Sequence, residues 1–161
     1  MKNLVVILHN IRSIYNVGAI LRTCDGLGVA EVVVSGYTPH PDKGLPYERE
    51  KLQKALHKTA LGAEESVRWR YEEDVVGVLQ EYKKDGFEIL ALEQGEGSVD
   101  LGRYGKLKRN AVLVLGEEVR GVSGEILEEC DGLLEIPMKG RKESFNVSVA
   151  AGIALWGLIG D

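Results

Sequence analysis

The chain is poor in the residues that carry most metal and redox chemistry. It has two cysteines, Cys24 and Cys130, with no CxxC spacing, and three histidines, His9, His40 and His57, with no ligand spacing. No metal set or disulfide framework is expected from this pattern, and reduced thiols in a cytoplasmic protein are. Long apolar runs are missing as well. Leu4 to Leu8 is only strand length, and Asn10 and Arg12 follow at once. The run from Val147 to Ile159 is too short and too glycine-rich to cross a bilayer, so neither a signal peptide nor a membrane span is read. The common nucleotide motifs are absent too. Leu8 leads into His-Asn-Ile-Arg where a Rossmann GxGxxG would stand, and Gly95-Glu96-Gly97 lacks the third glycine. No P-loop and no GxSxG elbow occurs, which counts against dinucleotide enzymes, P-loop NTPases and serine hydrolases.

What is present is ordinary in bulk. A chain of 161 residues, 44% hydrophobic and 28% charged, is expected to form one domain with a substantial core. The net charge of −5 argues against a general nucleic-acid binder but leaves room for a local basic patch. Candidates for such a patch are Arg12, Arg22, Lys51, Lys54, Lys58, Arg68, Arg70 and the trio Lys139, Arg141, Lys142.

Apolar runs alternate with helical patterns along the whole chain. Strands are expected at Leu4 to Leu8, Glu31 to Ser35, Val67 to Arg70, Phe87 to Leu92, Ala111 to Leu115 and Leu133 to Ile136. Helices are expected at Asn16 to Leu27, Tyr47 to Leu61, Glu73 to Lys84, Ser123 to Cys130 and Ser144 to Ile159, with Asn16 as the first N-cap. The second helix carries a basic face of Lys51, Lys54 and Lys58. The stretches from Gly36 to Pro46 and from Glu93 to Arg109 read as loops. The alternation predicts an α/β domain, a mostly parallel sheet with helices on both faces.

Two strand ends draw attention. The Ala111 to Leu115 strand empties into Gly116-Glu-Glu-Val-Arg-Gly121. The Leu133 to Ile136 strand stops at Pro137, then runs through a Gly-Arg-Lys loop into Ser144, Asn146 and Ser148. Residues two apart do not share a helix face, so Ser144 and Asn146 belong on the turn that starts the last helix, as caps or as ligand groups. Together the two ends describe a crevice at the C-terminal edge of an α/β sheet. In the first helix Gly18, Arg22 and Asp25 form a stripe opposite the apolar one. The glycine implies close approach by another group, and Arg22 can simply pair with Asp25 three residues on.

Three separated segments resemble the motifs of the SpoU-type RNA ribose 2′-O-methyltransferases of the SPOUT, or α/β-knot, class. They are Asn16-Val-Gly-Ala-Ile-Leu-Arg22-Thr, Leu115-Gly-Glu-Glu118-Val-Arg-Gly121, and Ile136-Pro-Met followed by Ser144-Phe-Asn146-Val-Ser, in the family's order. The resemblance runs from Leu4 to the end. It implies a C-terminal deep trefoil knot, which the general avoidance of knots would never suggest. It also implies S-adenosylmethionine as cofactor, RNA as substrate and a homodimer in which the first and last motif helices meet. Carried onto this chain, the cofactor would lie against Leu92, Gly116, Ile136, Met138, Ser144 and Phe145. Leu92, Ile136 and Met138 have plain core packing as the alternative; at Gly116 a side chain would block backbone approach to a ligand.

The reaction implied is methyl transfer to a ribose 2′-hydroxyl of tRNA or rRNA, without metal. Arg22 would clamp a phosphate and stabilise developing alkoxide, Asn16 would orient Arg22 or the RNA, and Glu118 or a phosphate oxygen would take the proton. Ser144 and Asn146 would fix the last loop, and the Gly18 face with Ala150, Ala151 and Ala154 would suit the dimer contact. Two motifs depart from the family wording: in one Glu117 and Val119 replace Asn and Gly, and in the other Phe145 replaces Leu. Glu117 adds negative charge where RNA would arrive. The competing expectation is a catalytically silent RNA-binding or assembly protein of the same fold, since no added RNA-binding domain is read in the chain.

Overall fold

The first strand is aliphatic on both faces, and so are its two neighbours, which requires cover on both sides of the sheet. The computed structural model describes residues 2–42 and 44–160; Lys43, inside the predicted 36–46 loop, lies outside them. Seven strands form one sheet: β1 (Leu4–His9), β2 (Glu31–Ser35), β3 (Trp69–Glu72), β4 (Glu88–Leu92), β5 (Val99–Asp100), β6 (Ala111–Leu115) and β7 (Gly132–Glu135). Their spatial order is β3-β2-β1-β6-β4-β7-β5, and every pair is parallel. Every residue of β1, β2 and β6 is buried.

Alternation along the strands divides the core between two faces. Leu4, Val6 and Leu8 point toward α1 (Ile14–Leu27), α2 (Pro46–Ala60), α3 (Ala63–Ser66), α5 (Leu101–Tyr104) and α7 (Val147–Ile159). Val5 and Ile7 point toward α4 (Val75–Lys84) and α6 (Gly124–Glu129). Among the described residues no helix is long and apolar enough to cross a membrane.

Three local expectations are corrected. Ser13, not Asn16, is the N-cap of α1: Ser13 has extended backbone angles, and its hydroxyl accepts from the Asn16 N–H at 3.4 Å. That leaves the Asn16 side chain free to project from the first turn. The 93–109 stretch is not a plain loop, since it holds β5 and α5, and α3 follows the basic helix at once. These elements have two to four residues each, too short to show a period. The third correction concerns Gly18. A Cβ there would lie 2.2 Å from Thr59 Oγ1 and 2.7 Å from the Leu56 carbonyl. The close approach implied by this glycine is thus made by α2 of the same chain.

Candidate active site

The C-terminal ends of β4, β6 and β7 open onto a cleft of about 520 Å³, within the usual range for a small-molecule site. Leu92, Leu115, Leu134, Ile136 and Phe145 supply its apolar wall, while Gly116, Glu118 and Ser144 bring polar groups. Of the six residues expected around a cofactor, five line this cleft. Met138 is the exception: it lies beyond Pro137, half-buried and away from the lining.

Gly116 is required for a reason other than the one expected. A Cβ there would sit 2.6 Å from the Gly121 carbonyl carbon and oxygen and from the Val122 nitrogen. The obstruction is the chain's own return, closed by the Gly121 N–H donating to the Glu117 carbonyl at 2.8 Å. Glu93, at the end of β4, braces this loop by accepting from the Val122 N–H at 2.8 Å and the Gln94 N–H at 2.9 Å. Gln94 in turn donates to the Glu143 carbonyl at 2.9 Å, tying the 137–146 segment to the same strand end. Sequence reading missed both residues, although they directly follow Leu92.

Glu117 is buried, not displayed to solvent. The Arg12 guanidinium donates to it at 2.5 Å. Desolvation would raise its pKa, but hydrogen bonds from Tyr37 and Arg12 outweigh that and hold the carboxyl below its ordinary value. The expected extra negative charge is therefore balanced inside the protein, and Arg12 becomes a brace for the loop. Arg68 and Arg70 are also withdrawn from the proposed basic patch, because both pair with the buried Glu31, at 3.2 and 3.0 Å.

Beside the cleft, three polar side chains from distant segments form a relay. Asn146 caps α7 by accepting from the Ser148 N–H at 2.9 Å and the Ser148 hydroxyl at 2.6 Å. Its amide donates to Asn16 Oδ1 at 3.4 Å, and the Asn16 amide donates to Glu118 Oε1 at 3.4 Å. The last two contacts are long for hydrogen bonds, as polar groups of ligand-free sites often are. One residue from each of the three sequence segments thus meets at one corner of the cleft.

Arg22 stands apart from this corner. It is exposed and lines a separate groove of about 550 Å³ between α1 and α2, with Ala19, Thr23, Lys58 and Thr59. The expected pairing with Asp25 is not formed, since Asp25 instead accepts from the Ser66 hydroxyl at 2.6 Å.

Helix α7 is apolar around its circumference, which normally means burial on all sides. Ala151, Ala154, Leu155 and Leu158 face the core, whereas Val149, Ile153 and Trp156 form an exposed stripe continued by Phe145. Leu158 is thus a core residue and Trp156 a surface one, 57% exposed.

Comparison with known proteins matches residues 3–156 to the SpoU rRNA Methylase family. A tRNA (guanosine(18)-2′-O)-methyltransferase of Aquifex aeolicus is 36% identical over 158 residues, covering 96% of this chain and 68% of that protein. A 23S rRNA (guanosine-2′-O-)-methyltransferase RlmB of Xanthomonas axonopodis pv. citri is 34% identical, covering 95% of this chain and 57% of its own length. The solved TrmH/SpoU tRNA-modifying enzyme of A. aeolicus superposes with a TM-score of 0.80 at 33% identity, over 98% of this chain and 74% of that one. An AdoMet-bound rRNA methyltransferase from Sinorhizobium meliloti shares the fold, with a TM-score of 0.81 at 24% identity, over 96% of this chain and 55% of that one.

Proposed function

The chain belongs to the SpoU family of RNA methyltransferases, and from that premise we propose that it methylates a ribose 2′-hydroxyl of tRNA or rRNA using S-adenosylmethionine. The observation that carries this reading is the Asn146–Asn16–Glu118 relay at the corner of the apolar-walled cleft. The relatives named above act on guanosine in both RNA classes, so a guanosine is the first target to seek.

The cleft fits the cofactor in size and chemistry. Leu92, Ile136 and Phe145 suit an adenine ring, and the loop backbone at Gly116 with the Ser144 hydroxyl suits its polar groups. When bound, S-adenosylmethionine supplies the methyl group. The chain's own residues then have three tasks. The relay orients the Glu118 carboxylate, whose oxygens can accept the proton of the ribose hydroxyl, with a phosphate oxygen as the other acceptor. Arg22, which stays protonated, holds phosphate and stabilises developing alkoxide. Ser144 and Asn146 hold the loop that closes over the cofactor end.

Because Arg22 is not in the cleft of its own chain, the reading includes a homodimer. The stripe of Phe145, Val149, Ile153 and Trp156 would be covered by a second copy, letting Arg22 of one protomer serve the site of the other. The reading further includes a C-terminal trefoil knot and one methyltransferase domain holding both cofactor and RNA contacts. The setting would be a reducing cytoplasm, in keeping with two free thiols that burial pushes up to about 12 at Cys24 and about 11 at Cys130.

The test is tritiated methyl transfer to total RNA from cells lacking this gene, with the RNA sized and digested to nucleosides. A labelled 2′-O-methylnucleoside in one size class is the expected result. Label on a base, or no label with cofactor binding intact, would overturn it, the latter in favour of a silent RNA-binding protein. For the dimer, Trp156→Glu should give a monomer by sedimentation. Mixing inactive Arg22→Ala with inactive Asn146→Ala should restore on the order of a quarter of wild-type activity. Half of the dimers are then mixed, and each mixed two-fold dimer holds one intact site.

A further inference from the structure

The groove between α1 and α2 has a donor set that the three motifs do not account for. Its lining contains two cations, Arg22 from α1 and Lys58 from the last turn of α2, and no carboxylate. Neither cation forms an ion pair among the described residues, although the same helix shows what a satisfied lysine looks like: Lys54 pairs with Glu50 at 2.8 Å. The nearest acid in sequence to Arg22, Asp25, is occupied by the Ser66 hydroxyl. The donor hydrogens of the groove's two hydroxyls are committed as well. Thr59 donates to the Tyr15 carbonyl at 2.8 Å and Thr23 to the Ala19 carbonyl at 3.1 Å. What remains to meet a ligand is a guanidinium fork and an ammonium, donors without acceptors. Gly18 also lets α2 close onto α1 at this groove, since a Cβ there would meet the Thr59 hydroxyl and the Leu56 carbonyl.

We propose that this groove is a binding site for an RNA backbone phosphate, with Lys58 as its second cation beside Arg22. The proposal rests on the RNA-methylating reading and deepens it by naming a residue outside the three motifs. Arg22 matches the geometry of a phosphate bidentately, while Lys58 contributes a point charge from the facing helix. The groove lies six residues along α1 from Asn16, roughly 9 Å of helix rise. Within one protomer a strand gripped here is therefore held at a distance from that protomer's own relay corner, which agrees with Arg22 serving the site of the other copy. In a chain of net charge −5, two cations left without counter-ions in one groove concentrate the attraction for a polyanion at that place. The other role open to Lys58, complementing the dipole at the end of α2, would act on stability and not on RNA.

The experiment measures binding of a fluorescein-labelled ten-nucleotide oligouridylate and of unfractionated tRNA by anisotropy, from 50 to 200 mM salt, alongside cofactor affinity and melting temperature. Lys58→Ala should weaken RNA binding severalfold and make the log–log salt slope shallower by about 0.7, one phosphate contact on a single strand. Lys58→Glu should cost roughly tenfold or more, and Lys58→Arg should bind as wild type. Cofactor affinity should stay unchanged in all three. Lys54→Glu, one turn away and of equal charge change, is expected to bind nearly as wild type. Unchanged RNA binding in Lys58→Glu, or an equal loss in Lys54→Glu, overturns the proposal. If Lys58-dependent binding is found but the wild type methylates no RNA, the functional reading fails and the phosphate site stands. If the wild type methylates RNA and Lys58→Glu binds it normally, the reverse holds.

Discussion

Two arginines ten residues apart, Arg12 and Arg22, end in opposite circumstances. Arg12, although exposed, is spent on the protein itself: it donates to the buried Glu117 and holds the loop beside the cleft. Arg22 lies in a groove without an acid. The same contrast separates the two concavities. The cleft at the sheet edge is walled by apolar side chains and lined by Glu93, Glu118, Glu135 and Glu143 against one cation, Arg120, whereas both charged side chains of the α1–α2 groove are cations. A cofactor carrying positive charge suits the first and a phosphodiester the second. Local charge, not the net value of −5, therefore decides which ligand goes where.

The sharpest way to break this comparison is Arg22→Ala. Removing a cation that stabilises developing charge should lower kcat on the order of 10²- to 10³-fold, while calorimetric titration with S-adenosylmethionine should show unchanged affinity. A parallel loss of cofactor binding would merge the two sites into one. Next in size is Gly116→Ala. The added methyl meets backbone at 2.6 Å, which flexible side-chain motion cannot relieve, so stability should fall by about 1–3 kcal/mol and cofactor affinity with it. Thermal melting with and without cofactor measures both.

Salt should separate the two concavities more gently. Raising it from 50 to 200 mM should weaken RNA binding by roughly 20- to 40-fold if about three phosphates are held, and leave cofactor binding nearly constant. The smallest effect concerns the spent arginine. The folded pKa of Glu117 is depressed from 4.5, so its contribution to stability is complete above that value and is lost as pH falls through the lower folded pKa. Melting curves of wild type and Glu117→Gln should differ most near neutral pH and converge in acid. A gap that widens on acidification would mean that the pairing with Arg12 does not hold the loop.

Much of the architecture was legible in the chain because buried parallel strands announce themselves. Runs such as Leu-Val-Val-Ile-Leu and Val-Leu-Val-Leu can satisfy both faces only inside a covered sheet. The site was legible in part. Gly116, Ser144 and Phe145 could be placed at the cleft from two strand ends, but the reason for Gly116 could not, because the Gly121 backbone it accommodates is reached only after the loop folds back. Met138 is not among the residues lining the cleft, and a residue beyond a proline has no period to say where it points. Asparagine is a good cap by side-chain type, so the sequence points to Asn16 at the start of α1. Ser13, three residues earlier, held the extended conformation that capping needs.

By itself, the sequence determined the fold class, the family and which residues could do chemistry, since these depend on periodicity, on short motifs and on side-chain type. Only the tertiary structure decided which of them meet. Charge is not assigned to a partner until the chain closes. Ion pairs such as Arg12 with Glu117 or Arg70 with Glu31 span many tens of residues, and local pattern carries no information at that range. The same closure put Asn16, Glu118 and Asn146 at one corner and set Arg22 against Lys58 in another.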